Sequence, residues 1–365
     1  MKIGFDAKRA FYNNRGLGSY SRSLIEALVT LKPENEYHLY SPKYKNSAVF
    51  PQFNDVDNLT IHHQNHYSNS YWRTFQMGHQ ISNDDLNVYH GLSNELPYSK
   101  AFNTKYVVTI HDLIFLKHPQ FYPWIDRRIY RWKVGNALKN ADHVICVSEN
   151  TRKDVQAYFN LPETKLSVIH PMCSSIFYAK FDELEKAQVK TKYQLPEQFI
   201  LSVGAGGSNK NLKTLYRALS LLPDSYHLIV IGHRKQNPEI PSQLKSRIHF
   251  LGYLPEKDLA VVYNLTSITA FVSLYEGFGL PVVESLATGT PVVASRVSGI
   301  PEALGPGGLL VEPTDHKKIA ESIETMVEDY KYNHQLSELG HQHSLQFRPV
   351  GKAQKVLDLY QSLFN

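Results

Sequence analysis

Residues 273–302 read S-L-Y-E-G-F-G-L-P-V-V-E-S-L-A-T-G-T-P-V-V-A-S-R-V-S-G-I-P-E, and their order decides the fold. The stretch begins inside an apolar run, 268–274, that reads as a buried strand. A carboxylate, Glu276, follows, then a glycine-bearing turn, then Pro281 at a first helical position, then a second carboxylate, Glu284, on the opening turns of the helix. Proline suits a helix start because it has no N–H to leave unpaired. The free N–H groups around Phe278, Gly279 and Leu280 then sit at a positive helix end, where phosphate binds readily. Two carboxylates flanking an anion site suit a ligand with both hydroxyls and phosphate, such as a nucleotide sugar.

Strand followed by helix recurs in both directions from this point. Downstream of residue 192, apolar runs at 199–203, 228–231, 248–251, 268–274, 291–294 and 309–311 alternate with helical patterns. Upstream, runs at 2–5, 37–40, 87–90, 106–110 and 143–147 do the same, with helices expected over 71–81, 124–138 and 149–159 and a long loop over 41–58. Such alternation implies parallel sheets covered on both faces by helices. A chain of 365 residues exceeds one ordinary core, so the pattern predicts two doubly wound α/β domains, 1–172 and 173–349, each with its ligand positions beyond the carboxyl ends of its strands.

Composition narrows the class. Hydrophobic residues make up 42% and charged residues 20%, as in a soluble globular protein. Cys146 and Cys173 are the only cysteines, which excludes a disulfide framework and a cysteine-built zinc site and fits a reducing cytoplasm. No signal-peptide core opens the chain and no run of about 18 apolar residues interrupts it. The expected location is therefore cytoplasmic, with peripheral contact at the inner face of a membrane as an option. A formal charge of +5 permits attraction to anionic lipid but does not argue for nucleic acid.

The 276–284 stretch resembles the Glu–x7–Glu motif of retaining GT-B glycosyltransferases, particularly family 4 (glycosyl transferases group 1). The resemblance extends along most of the chain through R-G-L-G-S-Y-S-R-S-L (15–24), V-V-T-I-H-D-L (107–113), A-D-H-V-I-C-V-S-E-N-T (141–151), I-L-S-V-G (200–204) with N-K-N-L (209–212), F-L-G-Y-L-P (250–255) and G-G-L-L-V-E-P-T-D (307–315). It implies two Rossmann-like domains facing a central cleft, with a helix at about 350–365 packing back on the first. It implies a donor site in which Glu284 holds ribose hydroxyls, Glu276 contacts sugar hydroxyls, amides at Phe278, Gly279 and Leu280 reach sugar and phosphate, and Lys210 neutralises the diphosphate beside Gly204. His111 would lie by the donor sugar as a catalytic residue with Glu276 and Lys210, and Gly16 and Gly18 would let backbone approach the donor. No cofactor and no metal is implied beyond the nucleotide-sugar co-substrate, GDP- or UDP-linked.

The chain departs from the family at one point. The usual pattern after this strand is V-G-R, and Ala205 stands where the arginine is expected. A bidentate phosphate clamp is thereby lost. A nest of amides at Gly206 and Gly207, or Arg15, could replace it. The segments 107–113 and 115–122 look like those of bacterial polysaccharide mannosyltransferases. The leading expectation is transfer of mannose from GDP-mannose to a saccharide or lipid-linked saccharide in envelope polysaccharide synthesis. A UDP-sugar-dependent transferase, a sugar-nucleotide epimerase and a non-catalytic sugar-nucleotide-binding partner are the alternatives.

Other positions receive plainer readings. Asp84-Asp85 reads as a solvated loop, and His62-His63 and His341/His343 as local pairs with no third ligand at sensible spacing, so no metal is assigned. The 126–133 segment, D-R-R-I-Y-R-W-K, reads first as a solvated helix face with buried aromatics and second as a surface for anionic lipid. His90-Gly91 and the Trp72 region are candidate acceptor positions.

Overall fold

The computed structural model describes all residues except 14–15, 43–55, 64–70 and 233–237, and gives residues 74–75 by their backbone alone. Most of the expected 41–58 loop, and Arg15, therefore lie outside the described residues. The chain divides into two compact units, Met1–Met172 with Pro349–Asn365, and Cys173–Arg348.

In the first unit β1 (Lys2–Asp6), β2 (Glu36–Ser41), β3 (Leu59–His63), β4 (Val88–Gly91), β5 (Lys105–Ile110), β6 (His143–Cys146) and β7 (Leu166–Val168) form one sheet in the order β3-β2-β1-β4-β5-β6-β7, parallel throughout. In the second, β8 (Phe199–Ala205), β9 (His227–Gly232), β10 (Ile248–Gly252), β11 (Ile268–Phe271), β12 (Val292–Ser295) and β13 (Gly308–Val311) run parallel in the order β10-β9-β8-β11-β12-β13. This is the doubly wound order, whose direction reverses between β8 and β11. In sheets of this order ligands bind at that point, beyond the strands' carboxyl ends. Central strands are buried on both faces, which is why they read as unbroken apolar runs: every residue of β4, β6, β11 and β12 is buried.

Sequence and structure part at five elements. β3 and β7 are not foreseen: β3 is a partly exposed edge strand, L-T-I-H-H, and β7 has only three residues. The strand expected over 268–274 stops at Phe271, because the chain beyond it leaves the sheet and the Leu274 N–H donates to the Asn209 carbonyl at 2.7 Å. The helix expected over 71–81 is a π-turn, Trp72–Gln76, running into an α-helix, Met77–Asn83. The Trp124–Asn140 helix leaves its aromatics exposed, Trp124 by 63% and Trp132 by 49%, which overturns the reading of buried aromatics.

The Pro349–Ser362 helix packs in the first unit against the Gly16–Leu31 helix. Its Tyr360 hydroxyl meets His90 Nδ1 at 2.6 Å, while His90 Nε2 meets Thr109 Oγ1 at 2.8 Å and Tyr20 meets the same hydroxyl at 3.0 Å. All four side chains are buried. Burial holds His90 down at about 3, so it is neutral and both nitrogens are used inside the core. That removes His90 as an acceptor contact. Trp72 is likewise buried in the apolar core and offers no ring to a sugar.

Candidate active site

The second unit gathers most of the expected donor residues at the β8/β11 switch point. β8 ends in Gly204-Ala205, and a short 3-10 turn, Ser208–Lys210, leads into the Leu212–Leu219 helix. Asn211 ties this turn to the neighbouring strand ends through its amide, which donates to the Val272 carbonyl at 3.0 Å and the Pro313 carbonyl at 2.6 Å. The turn is thus fixed against the segment that carries Glu276. Lys210 Nζ donates to Glu276 Oε1 at 2.6 Å and lies 5.2 Å from the Phe271 ring centre. Asn209 Nδ2 reaches the same carboxylate oxygen at 3.3 Å.

Gly204 has a structural reason to be glycine. Its φ is +104°, and an added Cβ would stand 3.1 Å from both Cε and Nζ of Lys210. A side chain would strain the backbone and displace the lysine.

Ala205 explains the absent arginine. It is only 7% exposed and joins the core of this unit. Its backbone and Cβ press on Gly232, where an added Cβ would come within 3.0 Å of Ala205 Cβ. A long charged side chain at so buried a position must displace its neighbours or leave the core. Ala205→Arg is therefore expected to lower stability by about 1–3 kcal/mol through overpacking, read as a fall in the denaturant midpoint, with no gain in transfer. The compensating nest is not formed, since Gly207 is extended (φ −147°, ψ 144°) and the pair lacks the αR–αL alternation a nest requires.

The Glu276 loop is held from the other side by Ser298. This residue sits in the left-handed region at φ +51°, and its Oγ accepts the Glu276 N–H at 2.9 Å. The Gly299 N–H returns a bond to the Glu276 carbonyl at 3.2 Å. Phe278 is buried against Phe347, with ring centres 5.4 Å apart, so it offers a ligand its backbone and not its ring. Gly279, at φ +122° and ψ 54°, turns the chain into the Leu280–Ala287 helix, a turn that a residue with a Cβ makes only under strain. Leu280 is the first helical residue and Pro281 the second.

Glu284 lies on this helix and is fixed by a residue that sequence reasoning does not single out. Tyr263 is buried and donates to Glu284 Oε2 at 3.0 Å, with the Pro281 carbonyl 3.1 Å from the same hydroxyl. Burial pushes the Glu284 carboxyl up to about 7; the Tyr263 bond opposes this and the Glu256 charge adds to it. A carboxylate with this raised value is accommodated best when protonated. Its contribution to stability is complete below the ordinary carboxylate range and is lost as pH rises through about 7. Were donor hydroxyls to bond Glu284, the charged form would accept them more strongly, and donor affinity is then expected to run the other way and tighten as pH rises through that value. Calorimetry of nucleotide binding in buffers of different ionisation enthalpy should show proton release below pH 7. Tyr263→Phe should shift the transition upward. Binding flat across the window would remove Glu284 from the site.

The remaining expected residues belong to the first unit. His111 follows β5, and its ring meets the Tyr20 ring edge-on at 4.7 Å. Its Nε2 is 2.8 Å from the Leu92 carbonyl, which makes that nitrogen the donor and leaves the lone pair on Nδ1. Burial holds the ring down at about 4, so it is neutral. Its main-chain carbonyl already accepts from Thr151 Oγ1 at 3.3 Å. Asp112 accepts the Ile114 N–H at 3.1 Å and shapes the loop. Gly16 opens the Gly16–Leu31 helix in open space, whereas a Cβ on Gly18 would run into the Asn13 carbonyl. Gly18 thus answers a close approach by the chain's own backbone. In the second unit, His341 Nδ1 meets the Ala287 carbonyl and His343 Nε2 the Glu302 carbonyl, both structural contacts.

Two parallel doubly wound units, one with carboxylates, a lysine and a helix start gathered at its switch point, are the construction of GT-B glycosyltransferases. Residues 184–343 match the family described as Glycosyl transferases group 1, and residues 14–173 match Glycosyltransferase Family 4. The O-antigen chain mannosyltransferase B of Escherichia coli is 28% identical over 351 residues, covering 90% of this chain and 91% of the relative. The O-antigen chain mannosyltransferase RfbU of Salmonella typhimurium is 28% identical over 227 residues, 60% of each. Among solved structures, a sucrose-phosphate synthase from Thermosynechococcus elongatus matches with a TM-score of 0.76 at 21% identity, covering 100% of this chain and 99% of its own. Anabaena HepE in complex with UDP-glucose matches with a TM-score of 0.76 at 18% identity, covering 99% and 100%. The chain belongs to the glycosyltransferases of family 4 and is an enzyme of that class, similar to mannosyltransferases of O-antigen synthesis. That membership decides against the epimerase and the non-catalytic partner.

Proposed function

We propose that the protein is a retaining hexosyltransferase that moves mannose from GDP-mannose onto a saccharide acceptor, lipid-linked, in the assembly of an envelope polysaccharide. The observation that carries the reading is that Lys210 bonds Glu276 at the β8/β11 switch point, while Glu284 lies on the Leu280–Ala287 helix that the Glu276 loop leads into. The choice of mannose rests on the two O-antigen mannosyltransferases and their similarity to this chain.

In this reading Glu284 accepts from the ribose hydroxyls and Glu276 from the sugar. Lys210 and the amides at Gly279 and Leu280 hold the diphosphate, where negative charge grows as the sugar–phosphate bond breaks. The acceptor oxygen forms its bond to the anomeric carbon on the face the phosphate leaves, and its proton passes to a departing phosphate oxygen. Charge neutralisation is thus assigned to protein groups. His111 is assigned a hydrogen bond from a sugar hydroxyl to Nδ1. A thermal-shift screen against GDP-mannose, UDP-glucose, UDP-galactose, UDP-GlcNAc and ADP-glucose tests the donor without an acceptor. Stabilisation by GDP-mannose above the others is the expected result, and a preference for a UDP-sugar would overturn the mannose assignment.

Among the described residues no helix is long and apolar enough to cross a membrane. The Trp124–Asn140 helix nevertheless presents Trp124, Ile125, Ile129, Tyr130 and Trp132 outward among Arg128 and Arg131, and Tyr98 stacks on Trp132. Exposed aromatics among cations suit an anionic lipid surface. Replacing Trp124 and Trp132 together by alanine should reduce co-sedimentation with phosphatidylglycerol vesicles by roughly tenfold or more, while binding of the soluble donor is unchanged. Undiminished sedimentation would remove this helix from membrane contact.

A further inference from the structure

At the β2–β3 edge of the first unit, three side chains that sequence spacing keeps apart converge. His38 lies on β2 and His62 on β3, where parallel pairing sets Tyr40 opposite His62 and His38 opposite Thr60. Asp84 caps the carboxyl end of the Met77–Asn83 helix. His38 Nδ1 is 2.9 Å from His62 Nε2, which is 3.7 Å from Asp84 Oδ2, and the three atoms lie within 4.8 Å of one another. This corrects two readings from spacing: His62 does have further ligand-type neighbours, and Asp84 is no solvated loop residue, since Tyr40 donates to its carboxylate at 2.5 Å.

We propose that His38, His62 and Asp84 form a site for a borderline divalent cation of the zinc class, which fastens the edge strand β3 and the Met77–Asn83 helix to β2. Zinc bonds of ~2.0–2.1 Å in a tetrahedron place neighbouring ligand atoms roughly 3.3 Å apart, and the two observed spacings bracket that figure. Two imidazole nitrogens and one carboxylate oxygen are a donor set zinc takes, with a water completing four. The two facing nitrogens now share one proton between them, so one must donate. A cation in its place lets both use their lone pairs.

The supporting shell also fits. Gln80 Nε2 lies 2.9 Å from His62 Nδ1; on metal binding through Nε2 the proton moves to Nδ1, and a half-turn of the amide presents its oxygen to accept that N–H. Tyr40 stacks on His62 at 4.6 Å between ring centres and fixes the ring plane as well as the carboxylate. All three ligands belong to the first unit, whereas Lys210 and Glu276 belong to the second, and the site serves architecture.

The test uses the full chain without a polyhistidine tag, stripped with EDTA and titrated with cobalt(II). One equivalent is expected to give the visible absorption of a low-coordinate ion, to be displaced by zinc, and zinc is expected to raise Tm. His62→Ala should abolish the band, Asp84→Asn should weaken or shift it, and Gln80→Ala should reduce affinity by roughly 10–100-fold. His249→Ala, in the two-histidine pair with His227 on the other sheet, should leave it intact. Should His62→Ala fail to fold, Asp84→Asn and Gln80→Ala still decide. No band in the unaltered protein, or a band indifferent to both Asp84→Asn and Gln80→Ala, overturns the proposal.

Discussion

Lys210→Ala is expected to slow donor-dependent transfer by roughly 10²–10³-fold, the scale on which loss of one preorganised charge-stabilising group acts. The expectation is this large because no arginine stands at position 205, where the resemblance expects one. Among the described residues that approach the Glu276 carboxylate, Lys210 is the one cation, and the amides near Gly279 carry only partial charge. The variant should keep its fold, because Lys210 is partly exposed and its turn is fixed by Asn211 rather than by the amine. Affinity for the free nucleoside diphosphate should fall as well. Steady-state nucleotide release with a fixed acceptor reads the first effect and calorimetry the second; transfer within about threefold of the parent would refute the assignment.

Glu276→Ala is expected to cost a comparable factor in transfer, yet with a different signature. Glu276 now holds Lys210 at 2.6 Å, so part of the lysine's charge is already answered before a donor arrives. Deleting the carboxylate frees Lys210 for phosphate. Binding of the free nucleoside diphosphate should therefore be kept or tightened, while KM for the intact donor rises because a sugar hydroxyl loses its acceptor. In the double variant the losses should fall well short of multiplying, since the two groups act as one unit. Weaker diphosphate binding in Glu276→Ala would contradict this division of labour.

The candidate site of the second unit was legible where a residue's position follows from its neighbours in sequence. Glu276 comes just after a strand and Glu284 on the first turns of a helix, and both elements declare themselves through apolar runs and Pro281. Ser298 and Tyr263 were not legible, because each reaches the site from a separate strand–helix segment and nothing local marks it. A left-handed serine before Gly299 leaves no trace in periodicity. Gly18 and Gly204 have a second reason to be glycine that spacing does not show: a Cβ there would crowd the chain's own atoms, the Asn13 carbonyl and the Lys210 side chain. Edge strands escaped for another reason. β3 alternates apolar and polar residues and is partly open to solvent, so its histidines read as surface until the register with β2 is known.

The Tyr360–His90 contact bears on how the molecule is made. Residues 349–365 belong to the first unit but leave the ribosome after the whole of the second. A nascent chain therefore meets water with the His90 imidazole still lacking one of its bonding partners and the Gly16–Leu31 helix face uncovered, until the second unit has emerged. Vectorial synthesis thus makes the second unit the first that can finish.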